Sequence, residues 1–226
     1  IINHLFNVII KSGKYSHLTI IDIGGNIGEF SKKLENFLIK EKNEYKFFIF
    51  EPNPYLIKEI QQKKIKNANI FNFGIGDRKE EKFFKIHDMH EKSSFLNIDK
   101  DYFKNAKKYN ISDIKCKIET LDSFSNENKI DHINFLKIDT QGYNVKVLEG
   151  AKNLIKNNAI DIIYTEISLG PKYEIRETFY DFEKILNENY ELYGLDVGNY
   201  NIEVLSRRAM NHLCLDLFYV NKNISI

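Results

Sequence analysis

The chain has 226 residues, 42% hydrophobic and 29% charged, with 33 basic and 32 acidic side chains and a net charge of +1. That supplies a core for one large α/β domain and excludes a disordered chain, and it gives no basic field to attract nucleic acid. No apolar run approaches the roughly 18 residues of a membrane span, and no basic-then-apolar leader opens the sequence, so no membrane is expected.

Ile1 to Ile10 is apolar at near-helical spacing and predicts a short packing helix within residues 1–17. Leu18 to Ile23 follows as a strand buried on both faces, interrupted only by Thr19 and Asp22. Gly24, Gly25, Asn26 and Gly28 make a tight turn that allows backbone close to a ligand, and the next helix points its free N–H groups at that ligand. Phe30, Leu34, Phe37 and Leu38 give this helix, from Glu29 to about Lys42, one apolar face. Phe47 to Glu51 is a second buried strand, stopped by Pro52 and Pro54. A helix from about Tyr55 to Lys64 and a third strand at Asn69 to Phe73 come next, the latter ending in Gly74-Ile-Gly-Asp77. This alternation implies right-handed βαβ units and a parallel sheet.

The rhythm breaks from Arg78 to about His132, read as an insertion or side hairpin over the sheet with strands at Lys82–Ile86 and Ile114–Leu121. It resumes with a fourth core strand at Ile133–Asp139, a helix from about Asn144 to Lys156, a fifth strand at Ile160–Ile167 and a long helix over about Ile175–Asn189. Tyr190–Asp196 and Leu213–Val220 suggest an antiparallel pair at one sheet edge. No repeat or linker divides the chain, so a single domain is expected. Cys116 and Cys214, far apart in sequence, read as buried thiols of a reducing compartment, consistent with the cytoplasm. The chain starts at Ile1 rather than Met, which leaves room for a further domain upstream.

The Gly-rich turn is not a dinucleotide fingerprint, because Asn26 stands where the middle glycine belongs, and no Lys-Ser or Lys-Thr pair makes it a Walker loop. Asp22, before the turn, is placed to hold loop N–H groups or a cationic ligand. Such a ligand, with an ammonium and no pyrophosphate, is S-adenosylmethionine. Glu51, 29 residues further on, ends the second strand where both ribose hydroxyls can be bonded. Asp77, after the third strand, can accept from the adenine amino group. His87 and His90, three apart, lack further ligands nearby, and no metal site is expected. His212 reads as structural. Tyr102, Phe103 and Tyr109, interleaved with lysines, read as an amphipathic helix, or as walls for a sugar.

Several segments together resemble the FkbM-type methyltransferases, a branch of the class I S-adenosylmethionine-dependent enzymes. They are Asp22-Ile-Gly-Gly-Asn-Ile-Gly28, Phe50-Glu-Pro-Asn-Pro54, Asn72-Phe-Gly-Ile-Gly-Asp77, Ser93-Ser94, Thr120-Leu-Asp-Ser123 and, most specifically, Phe135-Leu-Lys-Ile-Asp-Thr-Gln-Gly142 running into Val147-Leu-Glu-Gly-Ala151. The resemblance implies a Rossmann-like α/β fold: a seven-stranded, mostly parallel sheet with helices on both faces and one antiparallel strand at the edge. It implies cofactor contacts at Asp22, Gly24, Gly25, Asn26, Gly28, Glu51, Asn53, Gly76, Asp77 and Asp139. It also implies oxygen methylation of a sugar or other small metabolite. Asp139 is then the first candidate general base and Glu166 the second, with Lys137 placed to steer either. One departure stands out: Gln141 and Asn144 occupy positions where the family pattern carries acids. A nitrogen, phospho-compound or nucleic-acid acceptor, or a non-catalytic cofactor-binding module, are the alternatives.

Overall fold

The computed structural model describes residues 1–11, 13–99, 111–197 and 213–224. Helix α1 (Ile2–Lys11) buries Leu5, Phe6 and Ile9 on one face. Strands β1 (His17–Ile23) and β2 (Glu44–Phe50) are linked by α2 (Glu29–Lys40), and α3 (Pro54–Gln62) leads to β3 (Ala68–Phe71). Pro54 opens α3, where its missing N–H would have no intrahelical partner anyway, and the Asn53 side chain caps the helix by accepting the Tyr55 N–H at 3.1 Å.

Strands β4 (Gly74–Ile75), β5 (Glu80–His87) and β6 (Ile111–Glu119) form a separate three-stranded sheet. The main sheet then continues through α4 (Leu121–Glu127), β7 (Ile133–Ile138), α5 (Asn144–Glu149), α6 (Lys152–Lys156), β8 (Ile160–Ser168), α7 (Phe179–Leu186), β9 (Tyr190–Asp196) and β10 (Cys214–Asn221). Its order is β3-β2-β1-β7-β8-β10-β9. Only β10 runs against the others. It lies between β8 and the edge strand β9, so the antiparallel pairing expected at that edge is present on both sides of β10.

Successive residues of each central strand serve opposite faces. Ile20, Phe47 and Phe135 pack under α1, α2 and α3, with Phe6, Leu34 and Ile60. Ile21, Phe48 and Leu136 pack under α4 to α7, with Phe124, Val147 and Phe182. The strand order reverses between β1 and β7, which opens a crevice beyond their carboxyl ends. The small sheet folds over that end. Its Phe84 and Ile118, with Phe95 from the connection between β5 and β6, pack on Tyr143 and Tyr173, which follow β7 and β8.

Three expected boundaries shift. The third strand ends at Phe71 rather than Phe73, because the Asn72 side-chain amide donates to the carbonyls of Glu51 and Pro52 at 2.8 and 3.0 Å, and Gly74 departs to pair with β6. The helix after β7 breaks in two at Gly150 and Ala151. A Cβ on Gly150 would lie 1.9 Å from the Gly76 carbonyl oxygen, and the Asp122 carboxylate restarts the helix by accepting the N–H groups of Asn153 and Leu154, both at 3.0 Å. The long helix after β8 begins at Phe179, not Ile175, since Asp181 accepts from both the N–H and the hydroxyl of Thr178.

Candidate functional site

The turn after β1 is held on both sides by backbone. The N–H groups of Gly24 and Gly25 both donate to the Phe50 carbonyl at 2.9 Å, and the Asp139 N–H donates to the Ile23 carbonyl at 2.9 Å. Gly24 has φ +82°, and a Cβ there would sit 1.9 Å from the Asp139 carbonyl oxygen. That position therefore has room for glycine alone. Asn26 follows in the left-handed region at φ 50°. Its N–H donates to Glu51 Oε2 at 2.8 Å, while the Asn53 N–H donates to Glu51 Oε1 at 2.8 Å. Glu51 is thus fixed at the end of β2 with each oxygen carrying one backbone donor and retaining further acceptor capacity. Burial pushes its carboxyl up to about 7, against the opposing pull of these two N–H groups and of Lys137.

Gly24, Asn26 and Glu51 line a cavity of about 270 Å³. Its apolar walls are Phe50 and Phe73 at the end of the main sheet, Ile75 and Phe84 from the small sheet, and Phe95 from the connection between β5 and β6. Phe50 is locked by an edge-on contact to Phe124, with ring centres 4.8 Å apart. The far end is polar: Asp139, Thr140 and Gln141 after β7, and Glu166 on β8. Asn26 Oδ1 is buried and has no hydrogen-bond partner among the described residues. A cavity with aromatic walls, a carboxylate with spare acceptor capacity and an orphaned amide oxygen has the groups that a nucleoside carrying an amino-acid tail requires.

At the polar end, the buried Lys137 ammonium donates to Asp22 Oδ1 at 3.0 Å and to the Gly24 carbonyl at 3.1 Å, and stands 3.7 Å from Asp139 Oδ2. Burial works against its charge, but Asp22 and Asp139 more than offset this and raise its pKa. Glu166 is pushed to about 7, first by burial and then by the nearby Asp139 charge, with Lys172 opposing. Asp216, on β10 and directly opposite Glu166 of β8, is raised to about 6 by burial, and Tyr164 hydrogen-bonds to it.

The expected site residues therefore divide. Gly24, Asn26, Glu51, Asp139 and Glu166 come together on one cavity. Asp22 lies beneath it, fully buried, accepting from Ser31 Oγ at 2.6 Å as well as from Lys137. Gly25 and Gly28 shape the turn, with the Gly28 N–H donating to the Gly25 carbonyl at 2.8 Å. The Asn53 side chain is taken up by its helix cap. Gly76 is packed against Gly150, and Asp77 pairs with Lys146 at 3.1 Å in an open groove outside the cavity. The early end of β3 carries them away. His90 lines the cavity, whereas His87 is buried, with burial lowering its pKa, and no metal-binding group of three appears among the described residues. Tyr102, Phe103, Tyr109 and His212 lie outside the described residues.

Two features escaped the sequence reading. Asn144 Oδ1 accepts from the N–H and hydroxyl of Thr140 at 2.8 and 2.7 Å, and its Nδ2 donates to the Glu166 carbonyl at 2.8 Å and to Glu177 Oε2 at 3.3 Å. Glu177 also accepts the Val145 N–H at 2.6 Å, so it serves the start of α5 from the loop after β8; burial raises it to about 7. The second feature is the setting of Gln141, whose Nε2 donates to Asp139 Oδ1 at 2.8 Å.

The sequence matches the methyltransferase FkbM domain family over residues 22–193. No curated protein matches it. Among solved structures, methyltransferase FkbM from Methylobacillus flagellatus KT is similar, with 13% identity, 94% of this chain and 47% of that chain covered, and a TM-score of 0.51. A TehB-like SAM-dependent methyltransferase from Corynebacterium glutamicum gives 11%, 96%, 87% and 0.42 on the same measures. LepI in complex with SAM gives 10%, 96%, 46% and 0.46. Only the first exceeds a TM-score of 0.5, and at its identity the likeness concerns the fold; this chain spans about half the length of that protein.

Proposed function

The chain belongs to the FkbM family of S-adenosylmethionine-dependent methyltransferases, and from that premise we propose that it is an O-methyltransferase acting on a hydroxyl of a sugar or other small metabolite. The observation that carries the reading is the convergence of two carboxylates, Asp139 and Glu166, at one end of the cavity whose other residues suit the nucleoside. A hydroxyl must give up its proton as it is methylated, and a carboxylate in reach serves as base. The small acceptors that the family resemblance implies agree with this, and the net charge of +1 argues against nucleic acid.

When bound, S-adenosylmethionine supplies an electrophilic methyl group for direct displacement. On our reading Glu51 accepts from the ribose hydroxyls, Asn26 and Gly24 meet the amino-acid end, and Phe50, Phe73 and Ile75 enclose the base. Asp22, Gly25, Gly28 and Asn53 act by holding the turn and Glu51 in place. Asp139 takes the proton from the acceptor oxygen, with Glu166 as second candidate, and Lys137 balances the charge of Asp139. Alignment of acceptor and methyl group accounts for much of the rate. We treat residues 1–226 as one catalytic domain, covered by the small sheet whose strands begin at Gly74 and end at Glu119, and place it in the cytoplasm, where free Cys116 and Cys214 are at home. Incubation with methyl-labelled cofactor and a panel of sugars, small amines and RNA tests the proposal. Label recovered as a base-stable ether supports it; label confined to amines or RNA rejects it.

A further inference from the structure

The side chain of Gln141 has its two ends assigned by its neighbours. Oε1 accepts from the Lys172 ammonium and from the Tyr173 hydroxyl, the latter at 3.1 Å. The Lys172 ammonium can only donate and the Asp139 carboxylate accepts, so the amide cannot flip and Nε2 is directed at Asp139 Oδ1, 2.8 Å away, while the Tyr173 hydroxyl shares its one proton between Gln141 Oε1 and the Lys92 carbonyl, each at 3.1 Å. The backbone is committed as well. Gln141 has φ 55° and Gly142 φ +87°, a Cβ on Gly142 would lie 2.7 Å from the Tyr173 ring, and the Gln141 carbonyl accepts from Ser94 Oγ at 2.8 Å. Left-handed backbone at a residue other than glycine persists where surrounding contacts over-determine it.

We infer that Gln141 is a positioning residue whose amide, oriented by Lys172 and Tyr173, holds the Asp139 carboxylate turned toward the methyl donor, and that an acid at this position would disable that contact. The inference rests on the proposed reading of Asp139. It turns the departure from the family pattern into a requirement of this chain. Asp139 already stands 3.7 Å from Lys137 on β7 and within electrostatic reach of Glu166 and Tyr164 on β8 and of Asp216 on β10, while Lys172 acts on Glu166 and Gln141 from the loop beyond. A carboxylate in place of the Gln141 amide would still accept from Lys172 and Tyr173, but its second oxygen would meet Asp139 at hydrogen-bond distance. Two carboxylates so close share a proton instead of both ionising.

The test is Gln141→Glu, the change toward the family pattern, in the full chain. Calorimetric titration with S-adenosylmethionine at pH 7, in two buffers of different ionisation enthalpy, counts the protons released on binding. The cationic cofactor expels the shared proton, so the variant releases about one proton more than the parent, and its affinity rises with pH more steeply. Adding Asp139→Asn removes the extra proton. Equal proton counts in parent and Gln141→Glu overturn the inference. If Gln141→Glu does not fold, melting of the Asp139→Asn/Gln141→Glu double variant decides: recovery to within a few degrees of the parent supports the facing pair, and a double variant no more stable than the single overturns it. A failure of the underlying reading looks different: Asp139→Asn alone would leave methyl transfer intact.

Discussion

Glu51 offers the sharpest perturbation. Replacement by Ala removes the two oxygens that accept from the Asn26 and Asn53 N–H groups at 2.8 Å and face the cavity. A hydrogen bond to a charged group contributes roughly 1.5–3 kcal/mol, and about 1.4 kcal/mol is tenfold in affinity. Water entering the shortened side chain's place restores part of the loss, so the net cost corresponds to about one such bond, a 10–100-fold weakening of S-adenosylmethionine binding. The carboxyl of the ligand-free protein titrates at about 7. Ribose hydroxyls donate to the ionised form, so affinity is full above that pH and falls as pH drops through it, by about tenfold between pH 8 and pH 6. Calorimetry across this range on parent and Glu51→Ala reads both effects. A variant that binds within threefold of the parent, or keeps the parent's full pH slope, refutes the assignment.

Asp139→Asn should lower methyl transfer by about 10²–10⁴-fold while changing cofactor affinity only a few-fold; transfer and binding assays on one preparation separate the two, and retained transfer rejects Asp139 as base. Gly24→Ala forces a Cβ to 1.9 Å from the Asp139 carbonyl at φ +82°, whereas Gly13, at φ +63°, has open space around it. Melting should drop by several degrees more for Gly24→Ala than for Gly13→Ala, since only the first adds a backbone clash to the cost of left-handed backbone, about 1–3 kcal/mol; equal shifts would contradict the packing described. Glu51, Glu166 and Glu177 are raised to about 7 and Asp216 to about 6. These four groups hold protons in the folded chain that the unfolded chain has released, so the stability they contribute is full below the ordinary carboxylate range and is lost as pH rises through 6–7. The ligand-free melting temperature should be higher at pH 5.5 than at pH 8, and a rise toward pH 8 would contradict these burials.

What was legible follows from how local each signal is. The apolar runs, the Gly-Asn turn and the Glu51-Pro52 strand end lie within a few residues of one another, and so β1, β2 and the Glu51 position read directly. The place of Asp77, in the groove with Lys146, is not local in the same way, because the exit of β3 depends on Asn72 reaching back to Glu51 and Pro52, a contact between strands. Asp22 is spent on Lys137 because parallel pairing sets the two side by side, 115 residues apart. Asp216 meets Glu166 only through the antiparallel register of β10 on β8. The late start of α7 had a local signal, Thr178 with Asp181 three residues on, and with it Glu177 falls in the loop rather than on a helix. The amides at 141 and 144 stand out in the sequence only as a departure from the family's acids, since their partners, Asp139 and Glu177, face them only in the fold.

The most direct test is a crystal structure with S-adenosylhomocysteine, the demethylated cofactor. The account places the ribose hydroxyls on Glu51, the amino-acid end at Gly24 and Asn26, and the sulfur toward Asp139 and Glu166. A cofactor lying in the open groove by Asp77 and Asp122, with Glu51 untouched, would contradict it.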